Sequence, residues 1–347
     1  MKPLNFLSAI LLATSLLSCG EEKNEEKNHF SIELNSENNK FKPNDELKVS
    51  LKNPDQKQIA ATNYYIGDTP ITLTNGSYTL TDIPYGKQTL KAVVSYGESS
   101  ETVTKQIEVL AATAPKIYSY TIVNTYPHDI KAYTQGLEFH KDTLYESTGL
   151  RGQSSLRKVD FKTGEVLKKI ALDNKIFGEG LTILNDKIYQ LTWQSMIGYV
   201  YNLTTFEKEK TFSYVDSKQG WGLCNDGEHI YKSDGSERIY TLDKETLAEQ
   251  GFIQLVTNKS VYEKANELEY VDGTIYANAY QKDGIMIIDA ETGIITGVID
   301  CRGLKEKVTQ HQQLDVLNGI AYNPKTKTFF ITGKNWDKMF EVTFSEK

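Results

Sequence analysis

Five short runs after Pro115 can be set under one another: Gln135-Gly136-Leu137, Glu179-Gly180-Leu181, Trp221-Gly222-Leu223, Asn266-Glu267-Leu268 and Asn318-Gly319-Ile320. They recur at spacings of 44, 42, 45 and 52 residues. Nine residues after the middle position of the first four stand Tyr145, Tyr189, Tyr231 and Tyr276, with Phe329 or Phe330 one or two residues later in the last. Strand-like runs follow the first four aromatics, and several lead to turns such as Lys162-Thr163-Gly164, Asp243-Lys244-Glu245 and Glu291-Thr292-Gly293. Apolar residues alternate with period two rather than 3.6, which excludes a helical solenoid. Repeats of roughly 40 to 50 residues made of several short strands are the signature of propeller blades. The expected fold is all-β, with a five-bladed β-propeller over 113–347. A strand at Lys116–Asn124, ahead of the first repeat, is expected to complete the last blade and close the ring.

In a propeller the innermost strand of each blade lines the central channel, so equivalent repeat positions form circles. The residue before each Gly-Leu step gives one circle: Gln135, Glu179, Trp221, Asn266 and Asn318. A second, four residues after the aromatic, holds Gly149, Trp193, Gly235, Tyr280 and, counted from Phe330, Lys334. One carboxylate, one lysine, several amides and three large aromatics then converge on one end. Pockets that orient a small group are built from an apolar wall with a few aimed polar groups.

Ahead of the repeats, residues 30–112 alternate in short runs: Ile32 and Leu34, then Leu47, Val49 and Leu51, then Leu90, Ala92 and Val94, then Ile107 and Val109. About seven strands in about 80 residues predict a small immunoglobulin-like β-sandwich. It carries no constellation suited to chemistry and reads as a spacer, with Ala111-Ala112-Thr113-Ala114-Pro115 as the linker. Residues 1–19 carry Lys2, an apolar run from Phe6 to Leu17, and Leu16-Leu17-Ser18-Cys19-Gly20, and resemble a bacterial lipoprotein signal peptide with its lipobox. The run is too short to span a bilayer, and lipidation of Cys19 is expected. Residues 20–29 have four Glu and two Lys and nothing apolar to bury, which suits an acidic tether. The implied location is outside the cytoplasm, lipid-anchored to the outer membrane and facing the periplasm or the surface.

A net charge of −7 and the lack of a basic cluster argue against a nucleic-acid partner. The five histidines are scattered, and no HExxH or CxxC spacing exists to hold a catalytic zinc. Cys224 and Cys301 lie 77 residues apart in different repeats and imply no disulfide framework.

The runs Tyr133-Thr134-Gln135-Gly136-Leu137, Leu144-Tyr145-Glu146-Ser147-Thr148-Gly149, Phe177-Gly178-Glu179-Gly180-Leu181-Thr182, Leu191-Thr192-Trp193, Asn266-Glu267-Leu268-Glu269-Tyr270, Leu317-Asn318-Gly319-Ile320-Ala321 and Thr332-Gly333-Lys334 resemble the plant-type glutaminyl-peptide cyclotransferases. The resemblance covers residues 116 to 344 and none of the front unit. It implies a five-bladed propeller, which agrees with the repeat count. It also implies conversion of an N-terminal glutamine of a peptide or protein to 5-oxoproline with release of ammonia, and no catalytic zinc. Carried over residue by residue, Glu179 matches the acid/base carboxylate, Gln135, Asn266 and Lys334 the polar pocket residues, and Trp193 and Trp221 the aromatic wall. Phe177 and Asn318 join the substrate-binding set. Tyr133 stands where a Phe is usual and Tyr280 where Trp is common, so both keep an aromatic face.

Such chemistry asks the α-amine to attack its own side-chain amide carbon, a step in which holding the chain folded supplies much of the rate. Glu179 suits the proton carrier, Lys334 the developing oxyanion, and Asn266 and Gln135 the amide and backbone. The expected enzyme needs no cofactor, leaves room for a structural calcium in the channel, and acts as a monomer. The alternative is a non-catalytic peptide- or glycan-binding propeller lipoprotein. A calcium-dependent hydrolytic propeller such as a lactonase would call for several carboxylates on one ion, against one in the inner circle.

Overall fold

The computed structural model describes residues 28–347, so the expected leader 1–19, Cys19 and most of the tether lie outside the described residues. Residues 30–112 form two packed β-sheets. One orders Ser31–Leu34, Glu46–Lys52 and Ser77–Thr79; the other orders Lys40–Phe41, Ser99–Val109, Gly86–Tyr96, Ile59–Ile66 and Thr69–Ile71. Eight strands replace the seven expected, because short edge strands such as Lys40–Phe41, which runs parallel to Glu108 and Val109, carry too little alternation to register. The period-two residues Leu47, Val49, Leu90, Ala92, Val94 and Ile107 all point into the shared core.

The first three repeats each fold into a four-stranded antiparallel sheet in chain order: Thr134–His140 to Glu165–Ala171, Gly178–Leu184 to Lys208–Ser213, and Leu223–Asn225 to Glu249–Gln254. The strands of the last two repeats join in one eight-stranded sheet through Lys116–Pro127. That strand pairs antiparallel with Lys338–Glu346, linking the start of the repeat region to its end as expected. Its first four residues also run parallel to Gly297–Asp300, a pairing the sequence pattern did not announce. The first strands touch in cyclic order: Thr134–His140, Gly178–Leu184, Leu223–Asn225, Ala265–Val271, Leu317–Asn323, and back to Thr134–His140. The result is an all-β, propeller-like body.

Packing between successive sheets explains the repeated aromatic. Tyr145 meets Phe206 of the next sheet, Tyr231 stacks on Tyr270 at 5.9 Å, and Tyr276 lies 4.6 Å from Phe329. The Gly-Leu step has its own cause. Gly180 donates its N–H to Trp221 O at 2.6 Å, and a Cβ there would come within 2.5 Å of that same oxygen. The pairing register also breaks between Gly178 and Leu181, so Glu179 sits in a bulge that turns its side chain off the sheet. In the fourth repeat Glu267 stands in place of glycine. Its carboxylate accepts the N–H of Leu137 at 3.1 Å and of Ile320 at 2.8 Å, tying the first and fifth repeats to the fourth.

The front unit rests on this body. Leu110 and Ala111 pack with Val256, Ala111 N–H donates to Thr257 O, and Gln254 exchanges hydrogen bonds with the backbone of Lys87.

Candidate active site

Nine of the ten pocket residues proposed from the sequence border one cavity of about 160 Å³: Tyr133, Gln135, Phe177, Glu179, Trp193, Trp221, Asn266, Tyr280 and Lys334. They come from the bulged starts of the first strands and from the turns that follow the second strands. Asn318 does not border the cavity. It is fully buried beneath Gln135, donating to Thr134 O at 2.9 Å and to Gln135 Oε1 at 3.2 Å, so it orients a wall residue. The second circle is filled unevenly for a steric reason: a Cβ at Gly149 would lie 2.4 Å from the Phe177 ring, and one at Gly235 2.5 Å from the Trp221 ring. The glycines give the aromatic walls their room.

Those walls are two edge-to-face groups. Phe177 packs against Trp193 at 5.5 Å and Tyr133 at 6.1 Å, and Trp221 packs against Tyr280 at 5.2 Å. Lys334 Nζ stands between them, 4.9 Å from the Tyr133 ring and 5.4 Å from that of Tyr280. Tyr133 is fixed by its hydroxyl, which donates to Asp315 Oδ2 at 2.7 Å.

Glu179 and Lys334 are both nearly inaccessible, at 4% and 3% exposure. Glu179 Oε2 is buried without a hydrogen-bond partner. Burial pushes the Glu179 carboxyl well above the usual carboxylate range, and the charge of Lys334 opposes that. Burial likewise lowers the Lys334 ammonium, with Glu179 and Asp315 acting against it. An unpartnered carboxylate oxygen beside an ammonium, in an apolar cup, can carry a proton and steady a developing negative charge.

Sequence reasoning missed the support beneath the tryptophans. Gln219 Oε1 accepts both indole N–H groups, from Trp193 at 2.7 Å and Trp221 at 2.9 Å. Gln219 is held in turn by the buried Lys232, whose ammonium donates to Gln219 O at 2.8 Å, touches Ser217 Oγ, and lies 3.6 Å from Glu249. Burial lowers the Lys232 ammonium to about 8 despite Glu249. Gln219 stands two residues before Trp221, as Tyr133 and Phe177 stand before Gln135 and Glu179, and Lys232 follows the repeat aromatic Tyr231. The residue type at both positions changes from repeat to repeat, so periodicity marks the positions without giving the clamp.

Among the described residues no group of three or more His, Cys, Asp or Glu side chains is arranged to hold a metal ion. Cys224 and Cys301 are free and buried.

With this geometry in view, the sequence pattern of the glutamine cyclotransferase family matches residues 91–344. The chain belongs to that family. It is 38% identical over 234 residues to a glutaminyl-peptide cyclotransferase of Arabidopsis thaliana, covering 67% of this chain and 73% of that protein. The crystal structure of the Myxococcus xanthus glutaminyl cyclase superposes with a TM-score of 0.63 at 33% identity, over 67% of this chain and 99% of that one. The cyclotransferase match begins inside strand Gly86–Tyr96 of the front unit, ahead of the repeats.

Proposed function

We propose that the cavity converts an N-terminal glutamine of a peptide or protein to 5-oxoproline, releasing ammonia. Family membership supports the activity, and the observation that carries the chemistry is the buried, unpartnered Glu179 Oε2 beside Lys334. A volume of about 160 Å³ admits little more than one residue. Inside it the glutamine folds so that its α-amine nitrogen bonds to its own Cδ and a five-membered ring closes, an intramolecular aminoacyl transfer. Glu179 takes a proton from the attacking nitrogen and delivers it to the amide nitrogen as the Cδ–N bond breaks, so one carboxyl acts as base and then acid. Lys334 stabilises the oxyanion on Cδ, while Gln135 and Asn266 hold the amide and backbone. The aromatic walls keep water out. Since the base form of Glu179 is needed and its pKa is raised, kcat/KM rises with pH through a value above the ordinary carboxyl range.

In this reading the chain's own side chains suffice and no zinc takes part: none of the histidines borders the cavity. A structural calcium in the channel, which would need six to eight oxygen ligands, stays compatible with this reading and takes no part in it. Glu138, Glu267 and Glu269 accept backbone N–H groups of Ile183, Leu137, Ile320 and Tyr322 and tie the repeats together. The cyclic contact of five first strands supports a five-bladed propeller, and the two packed sheets of residues 30–112 an immunoglobulin-like sandwich. The lipobox-like run ending in Cys19 supports an enzyme tethered by lipid outside the cytoplasm. Incubating the protein from residue 28 on with a Gln-initiated dipeptide should give ammonia and the corresponding mass loss, with activity kept in a chelator. No ammonia from folded protein would refute the activity, and zinc-restored loss on chelation would refute the mechanism.

A further inference from the structure

The catalytic cavity has no room for the rest of a peptide, and the molecule provides a second space beside it. A trough of about 310 Å³ begins at Tyr280, the wall it shares with the cavity, and is bordered by Tyr262, Lys264, Ala279 and Lys282. A larger hollow of about 600 Å³ adjoins it, sharing Tyr262, Ala279 and Lys282 and reaching Ile117. Its aromatic and aliphatic rims are open to solvent, Tyr262 at 37% and Ile117 at 46% exposure. Backbone hydrogen bonds fix the trough to the site: Tyr280 N–H donates to Lys264 O at 3.0 Å, and Lys282 N–H to Ala279 O at 2.9 Å. The front unit braces its outer wall. Lys40 Nζ donates to Lys259 O, Ala111 N–H to Thr257 O, and Val261 packs on Leu110, Ala111 and Val256.

Charge distinguishes the two parts. Lys264 and Lys282 are exposed, and neither has an ion-pair partner among the described residues. Glu263, the one acidic residue of the trough, lies 3.9 Å from Lys87 of the front unit, which Glu237 holds more closely at 3.2 Å, so two lysines stand against one carboxylate there. Farther out, Asp300 is taken by Arg302 and Lys347, leaving Asp283 as the anion of the outer hollow. The stretch next to Tyr280 is therefore cationic, and the space beyond it is mainly apolar.

We infer, on the reading that the cavity cyclises N-terminal glutamine, that this trough is the subsite for the following residues of the substrate. It selects an acidic side chain at position 2 or 3 through Lys264 and Lys282. Rim charges of this kind act on encounter and on KM more than on the chemical step, and they weaken with salt.

The test uses the protein from residue 28 on and four substrates: Gln-Ala, Gln-Ala-Ala-Ala, Gln-Glu-Ala-Ala and Gln-Lys-Ala-Ala. The tetrapeptides should exceed the dipeptide in kcat/KM through KM. The Glu peptide should exceed the Lys peptide by about threefold to tenfold at low salt, with the gap closing in high salt. In the double variant Lys264→Glu with Lys282→Glu, that ratio should invert, each value being normalised to the dipeptide on the same variant. Tyr262→Ala should remove the gain from length. Equal kcat/KM for all four peptides, or a Glu-over-Lys ratio unchanged by charge reversal, overturns the subsite while leaving the cyclase reading intact. Failure of folded protein to cyclise any of them overturns both.

Discussion

Two buried glutamates on inner strands separated by Leu223–Asn225 have been put to opposite uses. Glu179 is 4% exposed and Glu267 fully buried, and burial raises both carboxyls well above their ordinary value. Glu267 has both oxygens engaged by backbone N–H groups, from Leu137 and Ile320. Glu179 keeps Oε2 without a partner, facing a cavity it shares with Lys334. Burial alone therefore does not mark a proton carrier. A carboxylate whose lone pairs are spent on amides is a tie between repeats, whereas one left unsatisfied retains capacity for a substrate.

The contrast breaks most sharply in activity. Glu179→Gln keeps the shape and removes the proton carrier, so turnover should fall about 10²-fold or more while the thermal transition hardly moves. Steady-state kinetics and calorimetry on one preparation check both halves, and wild-type turnover would move the proton to another group. Glu267→Ala should show the converse. It orphans two buried N–H groups at about 1–3 kcal/mol each, so a stability loss of about 2 kcal/mol or more is expected, with turnover per folded molecule largely kept. Denaturant titration measures the first and active-site-normalised rates the second.

Smaller effects sharpen the picture. Gln219→Leu removes the acceptor shared by Trp193 and Trp221, and KM should rise about tenfold, about 1.4 kcal/mol, with a smaller change in kcat. Tryptophan emission should shift too, since the third tryptophan, Trp336, is fully buried elsewhere. Glu138 reports on pH. Its carboxyl is raised from 4.5 to about 7, chiefly by burial, so the folded state binds the extra proton. Stability from this group is present at acidic pH and is lost as pH rises from about 4.5 through about 7. Glu138→Gln should flatten the fall in stability between about pH 5 and 7 by about 1 kcal/mol, a figure discounted for its partial exposure. An unchanged slope would assign the titration to Glu267 or Glu269.

Much of this molecule is written in local pattern. Period-two alternation fixed strand identity in both regions, because a half-buried strand must bury every second side chain. The 42- to 52-residue repeat set the number of first strands and placed Glu179, Trp193, Asn266, Tyr280 and Lys334 on circles, because equivalent positions in a cyclic array face one axis. What the repeat could not decide is what each circle position does after folding. Asn318 occupies the same register as Glu179 yet lies beneath Gln135, since its amide finds the Thr134 carbonyl first. Gln219 and Lys232 clamp the tryptophans from repeat positions whose residue type changes from one repeat to the next, because their role comes from contacts that cross a loop and a sheet. The choice between tie and proton carrier for a buried glutamate also rests on tertiary structure alone. It depends on whether a neighbouring strand presents free N–H groups within about 3 Å, and only the closed arrangement of repeats brings those groups there.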